Sequence, residues 1–230
     1  MKTTLKNSKL ILLPLIAVFS LLIIQNSNAA QVTFIVKGHL DYVGEELAGT
    51  FSIGDLYHLE YSFDSTTIDS VPGDPIIGAY VDAIFSLSVT IGNYNAVGNG
   101  RSRIGVYDNT LFIDSNNNNL YVDKYRIDLL DPMIGDSING YNLDNYQAAL
   151  LSMTDLSGNV FTNDKLITYA LDPSNFIGYM ALTFSNPISG ITGVQADISS
   201  FQVSSVPVPS AFWLLLPGLI SLLGISRFKK

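Results

Sequence analysis

The stretch Tyr57-His58-Leu59-Glu60-Tyr61-Ser62-Phe63 alternates large apolar and polar side chains one for one. A period of two puts Tyr57, Leu59, Tyr61 and Phe63 on one face of an extended strand and His58, Glu60 and Ser62 on the other. The same alternation returns at Phe85, Leu87, Val89 and Ile91, spaced by Ser86, Ser88 and Thr90. Working outward, strands are expected at residues 32–40, 104–107, 111–114, 120–129, 148–154, 166–171, 179–184 and 194–203. Residues 147–153 are apolar enough to read as a short helix instead.

Turn residues fall between these runs. Asn99-Gly100 and Asn139-Gly140 are tight-turn pairs, and Pro72-Gly73-Asp74-Pro75 and Asp172-Pro173 mark wider bends. With no alternation of strands and helices and no fixed repeat, the expected fold is all-β. The body should be an antiparallel β-sandwich or jelly-roll-like domain.

Charge divides the chain of 230 residues into three parts. Lys2, Lys6 and Lys9 lie in the first 30 residues, and Arg227, Lys229 and Lys230 in the last 25, with no acid in either segment. The region between keeps six of the 12 basic groups against all 20 acidic ones, a net of -14. Such a surface repels phosphates, so nucleic acid is excluded as a partner. With no Cys there is no disulfide, no thiolate metal site and no thiol nucleophile.

The basic start is followed by an apolar run over residues 10–24 and a polar stretch, Gln25-Asn26-Ser27-Asn28-Ala29. Ser27 and Ala29 are the small residues of an A-x-A-like site, so residues 1–29 read as a secretory signal cleaved by signal peptidase after Ala29. At the other end, residues 211–226 would rise about 24 Å as a helix, short of a bilayer's hydrocarbon thickness of about 30 Å. Pro217 and Gly218 weaken that helix, and the basic end should stay on the cytoplasmic side. The expected organisation is a signal at 1–29, a β body at 30–205, and a sorting segment with one short hydrophobic helix at 206–230.

Val206, Pro207, Pro209, Ala211 and Trp213, then Leu214, Gly218, Leu219, Leu222 and Gly224, and the closing Arg227, Lys229 and Lys230 follow a recognisable order and spacing. This tail resembles the PEP-CTERM sorting signals in their V-P-x-P-x-x-x-W variant. Val208 stands where the PEP form has Glu, and Phe228 interrupts the basic cluster. The resemblance implies a Gram-negative, exopolysaccharide-making cell and an exosortase-type membrane enzyme that reads the tail. It also implies passage through the inner membrane and release of the body to the surface or beyond. Phrases between residues 51 and 88 resemble the bodies of exported proteins of that class, which supply no catalytic residue.

Few residues carry chemistry. The only two His, His39 and His58, lie in strands without a G-x-S-x-G turn, and no third ligand accompanies them for zinc. Asp41, Glu45, Glu46, Asp55 and Glu60 form the densest acidic stretch for a glycosidase pair. Calcium is the cofactor an acidic exported domain favours, with Asp108, Asp114, Asn116, Asn118 and Asp123 as candidate ligands. Asp114 opens a D-x-N-x-N phrase, but Asn119 and Tyr125 stand where an EF-hand needs Gly and an acid. Tyr94, Tyr107, Tyr121, Tyr125, Tyr141 and Tyr146 lie near loops and are candidates to line a groove, although most aromatics should pack in the core. The expected function is non-enzymatic, in the cell envelope or extracellular polymer matrix; the alternative is a domain that binds or cleaves exopolysaccharide.

Overall fold

The computed structural model describes residues 31–98, 100–144 and 149–204. Both end segments lie outside the described residues, and with them Ser27, Ala29 and every residue of the tail motif from Val206 to Lys230. The body is all-β. Its strands are β1 (Gln31–Val43), β2 (Leu56–Asp64), β3 (Ile77–Val81), β4 (Ile84–Ile91), β5 (Tyr94–Gly98), β6 (Ser102–Ile113) and β7 (Asn119–Leu129). They continue as β8 (Met133–Gly135), β9 (Asn142–Leu143), β10 (Leu151–Asp155), β11 (Ile177–Asn186), β12 (Gly190–Ala196) and β13 (Ser200–Ser204).

These strands form one curled antiparallel sheet in the order β3-β6-β7-β10-β11-β12-β1-β2-β4-β5-β8, with β13 on β1 and β9 on β11. Strand β1 makes the curl. Residues 31–39 pair with β2, and residues 33–37 also with β13, while Leu40, Tyr42 and Val43 pair with β12 across a register shift at Asp41. A bulge is where a strand bends from one layer into another. Gly38 sits at this corner, where an added Cβ would come 2.2 Å from the Asp197 carbonyl oxygen. Only glycine allows the two backbones to approach so closely.

The two halves of the sheet face each other over the core that the opening stretch foretold. Tyr57, Leu59, Tyr61 and Phe63 are all fully buried, with Phe34 and Val36 beside them. They meet Ile104, Tyr125, Ile127, Met153 and Leu182 in one continuous cluster. The rings of Phe34 and Phe201 pack at 4.8 Å, and Tyr125 meets Phe201 edge-on at 6.1 Å. Such aromatic pairs add roughly 0.5–1.5 kcal/mol each beyond the area they bury.

Several expectations are corrected. Phe85 does not join Leu87, Val89 and Ile91 in the core; it is 58% exposed. The pairing of β2 with β4 shifts register between Ser62 and Phe63, so Ile84 takes the core position and Phe85 is the extra residue of a bulge. The residues flanking Asn99-Gly100 do not form a hairpin, because β5 pairs with β4 and β8 while β6 pairs with β3 and β7; Asn99 itself lies outside the described residues. Residues 166–171 form no strand, and Ile167 and Leu171 are buried from a loop. The run 194–203 divides into β12 and β13, which leave β1 on different pairings. Of residues 147–153, positions 151–153 are strand, and 147 and 148 lie outside the described residues.

Asn139-Gly140 is the expected two-residue turn. Ile138 and Tyr141 exchange backbone hydrogen bonds of 2.9 and 2.8 Å around it, and both turn residues have positive φ, 51° and 82°. That is the type I′ geometry for which Asn-Gly is selected.

Candidate functional site

The five calcium candidates fall at two separate places. Asp114 closes the β6–β7 hairpin: its carboxylate accepts from the amides of Asn116 and Asn118, both at 2.8 Å, and from the Asn118 side chain at 2.9 Å. The Asn118 side chain and amide hold its carboxyl below the ordinary carboxylate value. Asp123 lies further down β7, on the same face as Tyr125 and Ile127, and is fully buried. At about 3.3 Å per residue the two carboxylates are separated by more than 10 Å, while calcium ligands lie about 2.3–2.6 Å from the ion. Among the described residues no group of three or more His, Asp or Glu side chains is placed to hold a metal ion.

Asp123 organises loops. One of its oxygens accepts from the Asn109 amide at 2.9 Å; the other accepts from Val160 at 2.7 Å and Phe161 at 2.6 Å. Asp108, also buried, accepts from the Asn109 side chain at 3.1 Å. Asn109 is the extra residue of a second bulge and has φ 52°. Asp155 faces Asp123 across the β7–β10 pairing and accepts from the amides of Ser157 and Asn159 and from the Ser157 hydroxyl. Burial pushes the Asp155 carboxyl up, and the hydrogen bonds from Asn159 and Ser157 outweigh it, so it sits below the ordinary range.

The other candidates are dispersed. His58 and Glu60 lie on the outer face of β2, 3.7 Å apart and about half exposed, as the alternation requires. His39 is exposed on β1. Glu46 accepts from the Thr192 hydroxyl at 2.8 Å, which together with its own backbone amide lowers its carboxyl. Tyr125, Tyr141 and Tyr94 are buried, Tyr107 is half-buried, and Tyr121 is 62% exposed. Tyr146 lies outside the described residues. These tyrosines therefore do not form a common groove.

The arrangement that strand patterns do not reveal is a hollow of about 280 Å³ between β4, the end of β5, the start of β6 and the end of β7. Phe85, turned outward by its bulge, lines it together with Leu87, Arg101, Ser102 and Asp131. Asp131 accepts from the Arg101 amide at 2.7 Å, and Arg101 meets Asp82 at 3.4 Å in a pair that is more than half exposed on both sides. Asp82 has φ 57°, an uncommon conformation for a residue with a side chain. Ser102 is 2% exposed, and its hydroxyl has no hydrogen-bond partner among the described residues. One signal was present in the sequence: Ala83-Ile84-Phe85 places two large apolar residues side by side, and a period of two admits only one of them to the core.

The hollow therefore combines an aromatic face, a guanidinium donor, a carboxylate acceptor and a buried hydroxyl. Among the described residues the Ser102 hydroxyl is hydrogen-bonded to no base. Compared with protein-family models, with curated proteins and with solved structures, the chain finds no match.

Proposed function

We propose that this chain is an exported, non-enzymatic protein of the cell surface or extracellular polymer matrix. Signal peptidase removes residues 1–29, and an exosortase-type enzyme reads the PEP-CTERM-like tail while the chain is held briefly in the inner membrane. We read the curled body as a jelly-roll-like sandwich, since most of its strand pairs join strands that are not consecutive in the chain.

The observation that carries this reading is the use of the carboxylates. Asp55, Asp64, Asp69, Asp74, Asp114, Asp123, Asp155 and Asp172 each accept hydrogen bonds from loop amides. All but three of the 20 acids are Asp, whose short side chain reaches an amide two residues on, whereas Glu does not close such loops. A domain without Cys thus fastens its long loops by aspartate, which suits a durable scaffold more than a reaction centre. Calcium belongs to this proposal as a bridge from the acidic body to an anionic polymer, since a body of net charge -14 would otherwise repel one.

The test is binding of the full chain, in a detergent without a sugar headgroup, to the producing cell's own exopolysaccharide. It is run with calcium and with EDTA while the polymer is assayed for new reducing ends. Retention on the polymer without new ends supports the reading; new reducing ends overturn it. A second reading, as a carbohydrate-binding domain, is favoured by one feature, the outward-turned Phe85 in its hollow.

A further inference from the structure

We infer that the hollow beside Phe85 binds a single uncharged sugar ring. The inference rests on the carbohydrate-binding reading and gives it a place and a ligand class.

The aromatic face comes first. Phe85 leaves the core only because the β2–β4 pairing carries an extra residue, and bulges of this kind re-aim side chains toward sites. The result is a phenyl ring 58% exposed on a sheet whose Phe and Tyr rings are mostly buried. A pyranose ring offers a matching apolar surface, its axial C–H face, while its hydroxyls keep their polar partners at the rim. The space suits one ring: about 280 Å³ lies at the lower end of small-molecule sites.

The polar groups select a hydroxylated ligand without charge. Arg101 only donates, and the Asp131 carboxylate accepts, so a group that both donates and accepts satisfies them together. Vicinal hydroxyls do this. One Asp131 oxygen accepts from the Arg101 amide, and the side chain is exposed. The Arg101–Asp82 pair is exposed and worth little, so the guanidinium can turn to a ligand without a large loss. Ser102 lines the floor of the hollow, with its hydroxyl buried and without a hydrogen-bond partner among the described residues. Counting Arg101 against Asp82 and Asp131, the surroundings are net negative, which disfavours a carboxylated or phosphorylated ring.

The experiment is saturation-transfer NMR on the full chain in sugar-free detergent, with the methyl glycosides of glucose, galactose and mannose as probes and glucuronate as the charged counterpart. At about 10 mM, enough to fill a millimolar site, at least one neutral glycoside should show saturation on its ring C–H protons. Phe85→Ala should weaken it about tenfold or more, and Tyr121→Ala, an exposed aromatic elsewhere, should leave it unchanged. The thermal melt of Phe85→Ala is recorded alongside and should match that of the parent.

Silence from all three glycosides overturns the inference, as does equal loss in both variants or tighter binding of glucuronate. Polymer retention is scored separately on the same proteins. Retention that persists when glycoside binding is absent removes the hollow and spares the matrix role. Glycoside binding without polymer retention removes the matrix role and spares the hollow.

Discussion

The hydroxyls of Tyr61 on β2 and Tyr125 on β7 lie 2.9 Å apart, fully buried, and join the two halves of the sheet by a hydrogen bond through the core. Each group is the other's partner. Tyr61→Phe should therefore cost about 1–3 kcal/mol, because the Tyr125 hydroxyl is left buried and unpaired. Adding Tyr125→Phe should recover part of that loss. Urea unfolding of the four members of the cycle measures it; strictly additive losses would show that the two hydroxyls do not interact.

The same burial sets the alkaline behaviour. Burial pushes the Tyr61, Tyr125 and Tyr57 hydroxyls well above the ordinary value of 10.0, and it raises those of Tyr80 and Tyr94 to about 12. A group whose folded pKa is raised stabilises the fold fully below its unfolded pKa and loses that contribution as pH climbs. Stability should thus hold to about pH 10 and fall beyond it. Tyrosinate absorbance and circular dichroism followed together should show these tyrosines ionising with unfolding, not ahead of it.

Aspartate fastening makes an opposite prediction in acid. The carboxyls of Asp64, Asp114, Asp155 and Asp172 are held below the ordinary 3.8, so their contribution is present above that pH and is lost as pH falls through their folded values. Asp123→Ala leaves three loop amides without their acceptor and should cost about 3 kcal/mol or more. Hydrogen exchange should localise the damage to Asn109, Val160 and Phe161.

The bulge on β4 predicts unequal neighbours. Leu87→Ala removes a core side chain that is 6% exposed and should cost about 2–5 kcal/mol. Phe85→Ala removes one that is 58% exposed and should shift stability by no more than about 0.5 kcal/mol. Thermal unfolding of the two variants separates these values; equal losses would return Phe85 to the core.

What the sequence made legible follows from periodicity. Tyr57 to Phe63 announced both their strand and its buried face, because alternation is a local signal that the fold only has to accept. Asn139-Gly140 announced its turn because few residue pairs accept two positive φ values in succession. The adjacent Ile84 and Phe85 signalled that one of them must leave the core, but which one depends on the register of a partner strand about 20 residues away. Asp123 looked like a ligand in a polar stretch, and only the return of Val160 and Phe161 makes it a loop fastener. The hollow was hidden for the same reason: Phe85 on β4 meets Arg101 and Asp131 from two connecting segments distant in sequence.

Delivery outside the inner membrane as a processed body is what we propose for this chain. Fractionating the producing cells and reading the N-terminal peptide of the recovered chain by mass spectrometry tests it directly. The expected result is a chain that begins at Ala30 in the surface or matrix fraction, and a membrane-retained precursor when Pro207 and Pro209 are replaced by Ala. A chain found in the cytoplasm and still beginning at Met1 would contradict it.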